Sequence, residues 1–227
     1  LADLKILDHQ CDLDGQTVKF SYLGDEHVVS LPLVGDFQVT NALIAAALVI
    51  SLGVPFRQVF QFLSKLKAVP GRMELVGTKN LKGNVYIDYA HTPEALLTVL
   101  KALRPHTIGK LMLVFGAGGE RDVGKRPLMG KVAHQYADNI FVTDDNPRHE
   151  EPKKIRSEIL IECPTAIEIS DRAEAILIAI NQMREGDILL IAGKGHETGQ
   201  TIGDDVLPFN DAEFVSMALA SLEGKKI

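Results

Sequence analysis

Val85-Tyr86-Ile87-Asp88-Tyr89-Ala90-His91-Thr92-Pro93-Glu94 changes character within a few residues. A short apolar run, fit for a buried strand, ends on an aspartate; a threonine able to cap and a proline suited to a first turn then open a helix. The same succession recurs downstream. Apolar runs at Leu111 to Phe115, Ile140 to Thr143, Ala166 to Ile169 and Ile188 to Ala192 alternate with amphipathic stretches beginning at Arg126, Pro152 and Arg172, and a last helix is expected over Asp211 to Leu222. Five short strands with helical crossovers predict an α/β domain built on a mainly parallel sheet.

Upstream the rhythm differs, and Pro70-Gly71 marks the break. Residues 1–70 and 71–227 are therefore read as two domains. In the first, β-like runs at Leu4 to Leu7, Thr17 to Tyr22 and His27 to Leu31 are separated by the turn signals Asp14-Gly15 and Gly24-Asp25, which predicts a small antiparallel unit. Nearly continuous small and apolar residues from Gln38 to Leu52 predict a largely buried helix stopped by Gly53. A second helix is expected after Pro55, with Val59, Phe60, Phe62, Leu63 and Leu66 on its apolar face.

Composition limits the function classes. The 227 residues are 46% apolar and 24% charged, which is globular and excludes disordered, collagenous and coiled-coil chains. With 24 basic and 30 acidic residues the net charge is −6, so no global field draws nucleic acid or anionic lipid. Ala42 to Leu52, the longest apolar stretch, is well short of the roughly 18 residues of a membrane span. Cys11 and Cys163 lack the spacing of a disulfide framework or zinc site, and a reducing cytoplasm is expected. Leu1 is not an initiator methionine and no leader pattern follows it, so a piece of a longer chain is expected.

Ligands of parallel sheets sit beyond the carboxyl ends of the strands, so the post-strand segments carry the chemistry. Asp88 suits a ribose diol, and His91 a base or phosphate. Gly119 to Arg126 approaches a phosphate loop, but Arg126 stands where a magnesium-holding Ser or Thr belongs, and Glu120 and Asp122 would repel phosphates. Arg121 instead offers a planar fork for a carboxylate. In Asp145-Asn146-Pro147-Arg148 the proline stiffens a loop in which Asp145 suits an ammonium and Arg148 a carboxylate, the two charges of any amino acid. Ser170-Asp171-Arg172 is a further charged segment. Gly193 and Gly195 allow close backbone approach beside Lys194, His196 and Glu197.

Four segments in order, Pro70-Gly71-Arg72-Met73-Glu74, Asp88-Tyr89-Ala90-His91-Thr92-Pro93, Asp144-Asp145-Asn146-Pro147-Arg148 and Ala192-Gly193-Lys194-Gly195-His196-Glu197, resemble the Mur ligases of peptidoglycan synthesis. The likeness is to the members that add meso-diaminopimelate, because lysine-adding relatives lack the arginine of Asp-Asn-Pro-Arg. The resemblance implies the tail of a central ATP-binding domain over 1–70, small strands plus two helices, joined to a complete Rossmann-like C-terminal domain over 71–227 that binds the incoming amino acid. It implies that Arg121, Asp145, Asn146, Pro147, Arg148, Gly193 and Glu197 bind diaminopimelate. It implies further that Asn41, Arg72, Asp88 and His91 meet ATP, with Mg²⁺ as the second cofactor of the whole enzyme.

The implied reaction is ATP-driven amide formation. The D-glutamate carboxylate of UDP-MurNAc-L-Ala-D-Glu becomes an acyl phosphate and the amine of diaminopimelate attacks it. The family's Gly-x-x-Gly-Lys-Thr loop and carbamoylated lysine have no counterpart in this sequence, so no catalytic residue or metal ligand is assigned within it, and the chain by itself is expected to be a monomer without ligase activity. Diaminopimelate is lysine plus a distal carboxylate, so lysine would leave Arg148 unpaired in a desolvated pocket; sites built for a missing polar partner discriminate by about 10⁴. Two rival readings are weighed: a folylpolyglutamate synthetase-like ligase, whose glutamate lacks a distal ammonium for Asp145 and Glu197, and a non-enzymatic amino-acid-binding module on the same sheet.

Overall fold

The computed structural model describes residues 3–12, 15–79 and 83–222, and the chain divides into two compact units, Leu1–Ala68 and Val69–Ile227. In the first unit, β1 (Leu4–Cys11), β2 (Gln16–Tyr22) and β3 (Asp25–Leu31) form an antiparallel sheet in that order, followed by α1 (Asp36–Ser51) and α2 (Phe56–Leu63). Leu23 and Gly24 both take positive φ, 52° and 98°, the backbone that matches a two-residue hairpin to strand twist. The Asp14 half of the other turn signal lies outside the described residues. Phe20 and Val18 from the sheet pack with Val39, Leu43 and Ala46 of α1 and with Val59 and Leu63 of α2. Buried Gln16 donates from its amide to the carbonyls of Leu33 and Gly35, at 3.0 and 2.9 Å, which fixes the approach to α1.

The expectation that α1 is largely buried is corrected. Its buried stripe is Val39, Ala42, Leu43 and Ala46, whereas Ile44, Leu48 and Leu52 are 55, 62 and 84% exposed. A helix that is apolar all round turns only one face to a three-stranded sheet, and α2 covers no more than a flank of it.

The second unit holds a six-stranded sheet. Its strands are β4 (Glu74–Lys79), β5 (Gly83–Asp88), β6 (Leu111–Phe115), β7 (Asn139–Val142), β8 (Ile167–Glu168) and β9 (Ile188–Ala192). The order is β4-β5-β9-β6-β7-β8, with every neighbouring pair parallel except β4 with β5. The mainly parallel α/β reading holds, and antiparallel β4 is an addition to it. The crossovers run through α3 (Pro93–Leu103), α4 (Lys125–Tyr136), α5 (Pro152–Leu160) and α6 (Arg172–Gln182); α7 (Asp211–Leu222) closes the unit.

All residues of β5, β6 and β9 are buried, as expected of strands covered by helices on both faces. On one face Val85, Ile87, Val114, Leu189 and Ile191 pack against Ala175, Ile176 and Ile180 of α6 and Val215 and Leu219 of α7. Thr92 caps α3 by accepting the Ala95 N–H, and Asp171 caps α6 by accepting that of Glu174. A hairpin of β10 (Gly199–Ile202) and β11 (Asp205–Pro208), unforeseen in the sequence, turns through Gly203 at φ 58°. Among the described residues no helix is long and apolar enough to cross a membrane.

Candidate functional site

The chain leaves β5 for β6, passes outward to β7 and β8, and returns as β9 between β5 and β6. That return is a topological switch point, where loops on either side diverge and open a crevice. A cleft of about 330 Å³ lies there. It is lined by Tyr89 and His91 after β5, Gly118, Arg121 and Lys125 after β6, Asp145, Asn146 and Arg148 after β7, and Gly193 and Glu197 after β9. Six of the seven residues expected to hold an amino acid therefore share one space. The seventh, Pro147, does not line it; its carbonyl abuts Gly119, where a Cβ would come within 1.9 Å.

The loop after β7 is built from backbone outward. Arg148 has φ 53°, an unusual conformation for a side chain larger than glycine, and is held by its N–H to the Thr201 carbonyl at 3.0 Å and its own carbonyl to the Gly203 N–H at 2.8 Å. The β10–β11 hairpin thus braces the arginine. Its Nη1 donates to the Gly119 carbonyl at 2.8 Å, which ties the post-β7 loop to the post-β6 loop. Buried Asn146 accepts on Oδ1 from the Thr201 N–H and from Lys194 Nζ, and donates from Nδ2 to Glu197 Oε2. Asp145 is 7% exposed and its backbone carbonyl accepts from Gln200 Nε2.

The loop after β9 needs its glycines. Gly193 has φ 116°, and a Cβ there would lie 2.4 Å from Asp145 Oδ2; at Gly195, φ 54°, it would lie 2.8 Å from Tyr89. Lys194, between them, is completely buried and donates to Asn146 Oδ1 and Glu197 Oε2. The sequence gives Lys194 no role, because burial of a lysine has no signature in one sequence. Lys125, equally silent in the sequence, borders the cleft and donates to the His91 carbonyl at 2.9 Å, and burial holds its ammonium below the usual lysine range against the pull of Asp145 and Asp122.

Of the residues expected to meet a nucleotide, His91 lines the cleft, Arg72 and Asp88 belong to the same unit without lining it, and Asn41 belongs to the other unit. Asp88 ends β5 with its carboxylate taken up by two backbone N–H groups, Met73 on Oδ2 and Ala90 on Oδ1, both at 2.8 Å. Burial pushes its carboxyl above the ordinary aspartate value, although those bonds and Arg72 oppose the shift. Arg72 stacks its guanidinium on the Tyr89 ring, 4.6 Å from the centroid, and His91 packs edge-on against the same ring. Asn41 is an exposed residue of α1 in the first unit.

Other charged segments serve the fold. Arg126 is wholly buried and donates to Glu150 and Glu158, so the near-match to a phosphate loop ends in an internal ion pair. Arg156 pairs with Asp144 and Glu168. The Ser170-Asp171-Arg172 segment supplies a helix cap and a buried arginine whose Nε and Nη2 meet both oxygens of Asp211, at 2.8 and 2.7 Å. Its Nη2 also donates to the Ala192 carbonyl at 3.1 Å, directly before the Gly193 loop.

Residues 71–195 match the family model described as "Mur ligase, glutamate ligase domain", which is more than half of the chain. The chain belongs to the Mur ligase family. It is 50% identical over 212 residues to the UDP-N-acetylmuramoyl-L-alanyl-D-glutamate--2,6-diaminopimelate ligase of Agrobacterium fabrum, covering 93% of this chain and 43% of that one. With the enzyme of the same name from Caulobacter vibrioides it shares 49% over 221 residues, 97% of this chain and 45% of that one. A solved structure of such a ligase superposes with a TM-score of 0.78 at 37% identity, over 98% of this chain and 46% of the other. A Mycobacterium tuberculosis folylpolyglutamate synthase, at 19% identity and a TM-score of 0.66, shows the shared fold alone. This Mur ligase chain thus spans under half the length of the curated relatives it matches.

Proposed function

We propose that the chain is the amino-acid-binding part of an ATP-dependent, cytoplasmic ligase that adds meso-diaminopimelate to UDP-MurNAc-L-Ala-D-Glu, with residues 1–70 the end of a central nucleotide-binding domain. The observation that carries the reading is the cleft that gathers Arg148 and Arg121 with Asp145, Asn146, Glu197 and Gly193. It offers two guanidinium groups for carboxylates and two carboxylates for ammonium groups, the charge pattern of a diamino diacid. With Nη1 of Arg148 occupied by Gly119, its Nε–Nη2 edge is the fork presented to a ligand carboxylate. Gly193 lets the ligand come against main chain beside Asp145, where any Cβ would collide.

ATP, when bound, supplies the phosphoryl group that activates the acyl partner. Arg72, packed on Tyr89, suits phosphate and His91, against the same ring, suits base or phosphate, while Asp88, expected on the ribose, also ties Met73 through its N–H. For Mg²⁺ the fit is poor: among the described residues the only clustered donor set is His9, Cys11 and Asp36, and a thiol and an imidazole are wrong for a hard cation that prefers oxygen. No Mg²⁺ ligand is assigned here. The contribution of this chain is to bind and orient the amine donor, as a monomer.

Calorimetric titration with meso-diaminopimelate and with L-lysine tests the reading. Losing a charge-assisted pair of hydrogen bonds corresponds to at least about tenfold in affinity, so L-lysine should bind more weakly by that factor, and Arg148→Ala should erase the difference. Equal affinity for both amino acids in the parent chain refutes the assignment.

A further inference from the structure

We propose that Lys194 is a positioning residue of the cleft: from full burial it fixes the Asn146 amide and the Glu197 carboxylate so that Glu197 Oε1 is kept for the distal ammonium group of the ligand. The inference rests on the diamino-acid reading above and says which ligand atom that loop takes. An ammonium group removed from water must be matched by acceptors at close range. Lys194 has two, Asn146 Oδ1 at 3.0 Å and Glu197 Oε2 at 3.1 Å.

The amide orientation follows from chemistry. Oδ1 of Asn146 faces two donors, Lys194 Nζ and the Thr201 N–H at 2.9 Å, so that atom is the oxygen and the opposite atom is the NH₂ group. The NH₂ then meets Glu197 Oε2 at 2.9 Å. Oε2 thereby accepts from both Lys194 and Asn146, and its sister oxygen, without a hydrogen bond among the described residues, stays open on a side chain that borders the cleft and is a third exposed. Lys194 has no exposed surface, so it reaches a ligand only through these two groups. Backbone geometry puts it there: positive φ at Gly193 and Gly195 turns residue 194 inward, and Arg172 holds the Ala192 carbonyl at the loop's entry. A hydrophobic side chain of similar length would fill the space and leave both partners free to rotate.

The probes are meso-diaminopimelate and L-2-aminopimelate, which keeps both carboxylates and lacks the distal ammonium. The parent chain is expected to prefer the diamino acid tenfold or more in calorimetry. In Lys194→Met its affinity should fall at least tenfold while that of aminopimelate changes less than threefold, and the Thr201 N–H should exchange with solvent at least tenfold faster. Diaminopimelate binding to Lys194→Met as tightly as to the parent, or more tightly, would show the lysine merely competing for Glu197; an equal fall for both ligands would make its role structural. Either overturns the proposal. If the variant does not fold, the parent labelled with ¹⁵N-lysine decides: the Lys194 ammonium resonance should shift with diaminopimelate and not with aminopimelate, and no shift overturns the proposal. Should neither probe bind the parent, the diamino-acid reading fails, whereas unchanged Thr201 exchange in Lys194→Met sinks the positioning role by itself.

Discussion

Arg172→Met removes one half of an ion pair whose two side chains have no exposed surface at all. The guanidinium meets both oxygens of Asp211 and the Ala192 carbonyl, so the change strands a carboxylate and a carbonyl in the interior. Breaking a buried pair from one side costs about 3–5 kcal/mol, and at roughly 2–4 °C per kcal/mol for a unit of this size the melting temperature should drop by about 6–20 °C. The parent already carries a cost here, since Nη1 of Arg172 is buried with no hydrogen-bond partner among the described residues. Removing both charges should therefore be milder than removing one: Arg172→Met with Asp211→Leu should regain most of the loss, as buried pairs replaced by apolar side chains often are neutral or better. Urea unfolding of the four chains of the cycle, followed by far-ultraviolet circular dichroism, gives the coupling energy. A single variant within 1 kcal/mol of the parent would refute the reasoning, as would a double variant no better than the single one.

Asp88→Asn replaces one of two accepting oxygens with a donor that faces a backbone N–H, so a loss of about 1–3 kcal/mol is expected, with faster amide exchange at Met73 or Ala90; unchanged exchange at both counts against the tie. Gly193→Ala puts a methyl group into Asp145 and demands a left-handed backbone, and diaminopimelate affinity should fall at least about tenfold, the equivalent of one charge-assisted hydrogen bond, while far-ultraviolet dichroism stays native. Undiminished binding would place the ligand elsewhere. His149 has its two ring nitrogens against Glu120 and Asp204, at 2.9 and 3.1 Å, and only the imidazolium donates from both. Those hydrogen bonds raise its pKa above the ordinary histidine value, so the tether is complete below about pH 6.5 and is lost as pH rises through the folded value. Proton NMR should find the His149 midpoint above about 6.5 and Glu120→Gln should lower it; a midpoint at or below that value in the parent contradicts the geometry.

The central strands were legible because strands buried on both faces write themselves as unbroken apolar runs, and α3 and α6 because their caps are local chemistry. What escaped has equally local reasons. β4 contains Gly77, whose missing Cβ makes room for Leu219 at 2.5 Å, so a requirement of α7 packing erased the strand's own pattern. The β10–β11 hairpin is short, half polar and turned by Gly203, and nothing in its sequence announces that it braces Arg148. On α1 the apolar residues are visible in the sequence, but which of them face the sheet depends on partners that a single stretch does not name. At the cleft, residue types were readable and their sharing was not: the tie between Asn146, Lys194 and Glu197 joins positions about fifty apart, and only the fold closes it.

The place of β9 in the sheet also bears on the order in which the cleft comes into being. Asn84 pairs with Ile188 and Leu111 with the same residue, so the middle of the sheet is completed by a strand that emerges from the ribosome about a hundred residues after its neighbour β5. Until then β5 and β6 have a gap between them and the helices have no continuous surface to cover. Pairing at such long sequence separation raises contact order and slows folding. Because the Gly193 loop hangs directly from β9, the last strand of this sheet to be synthesised is the one that completes the cleft, and a nascent chain has no such cleft before its sheet is whole.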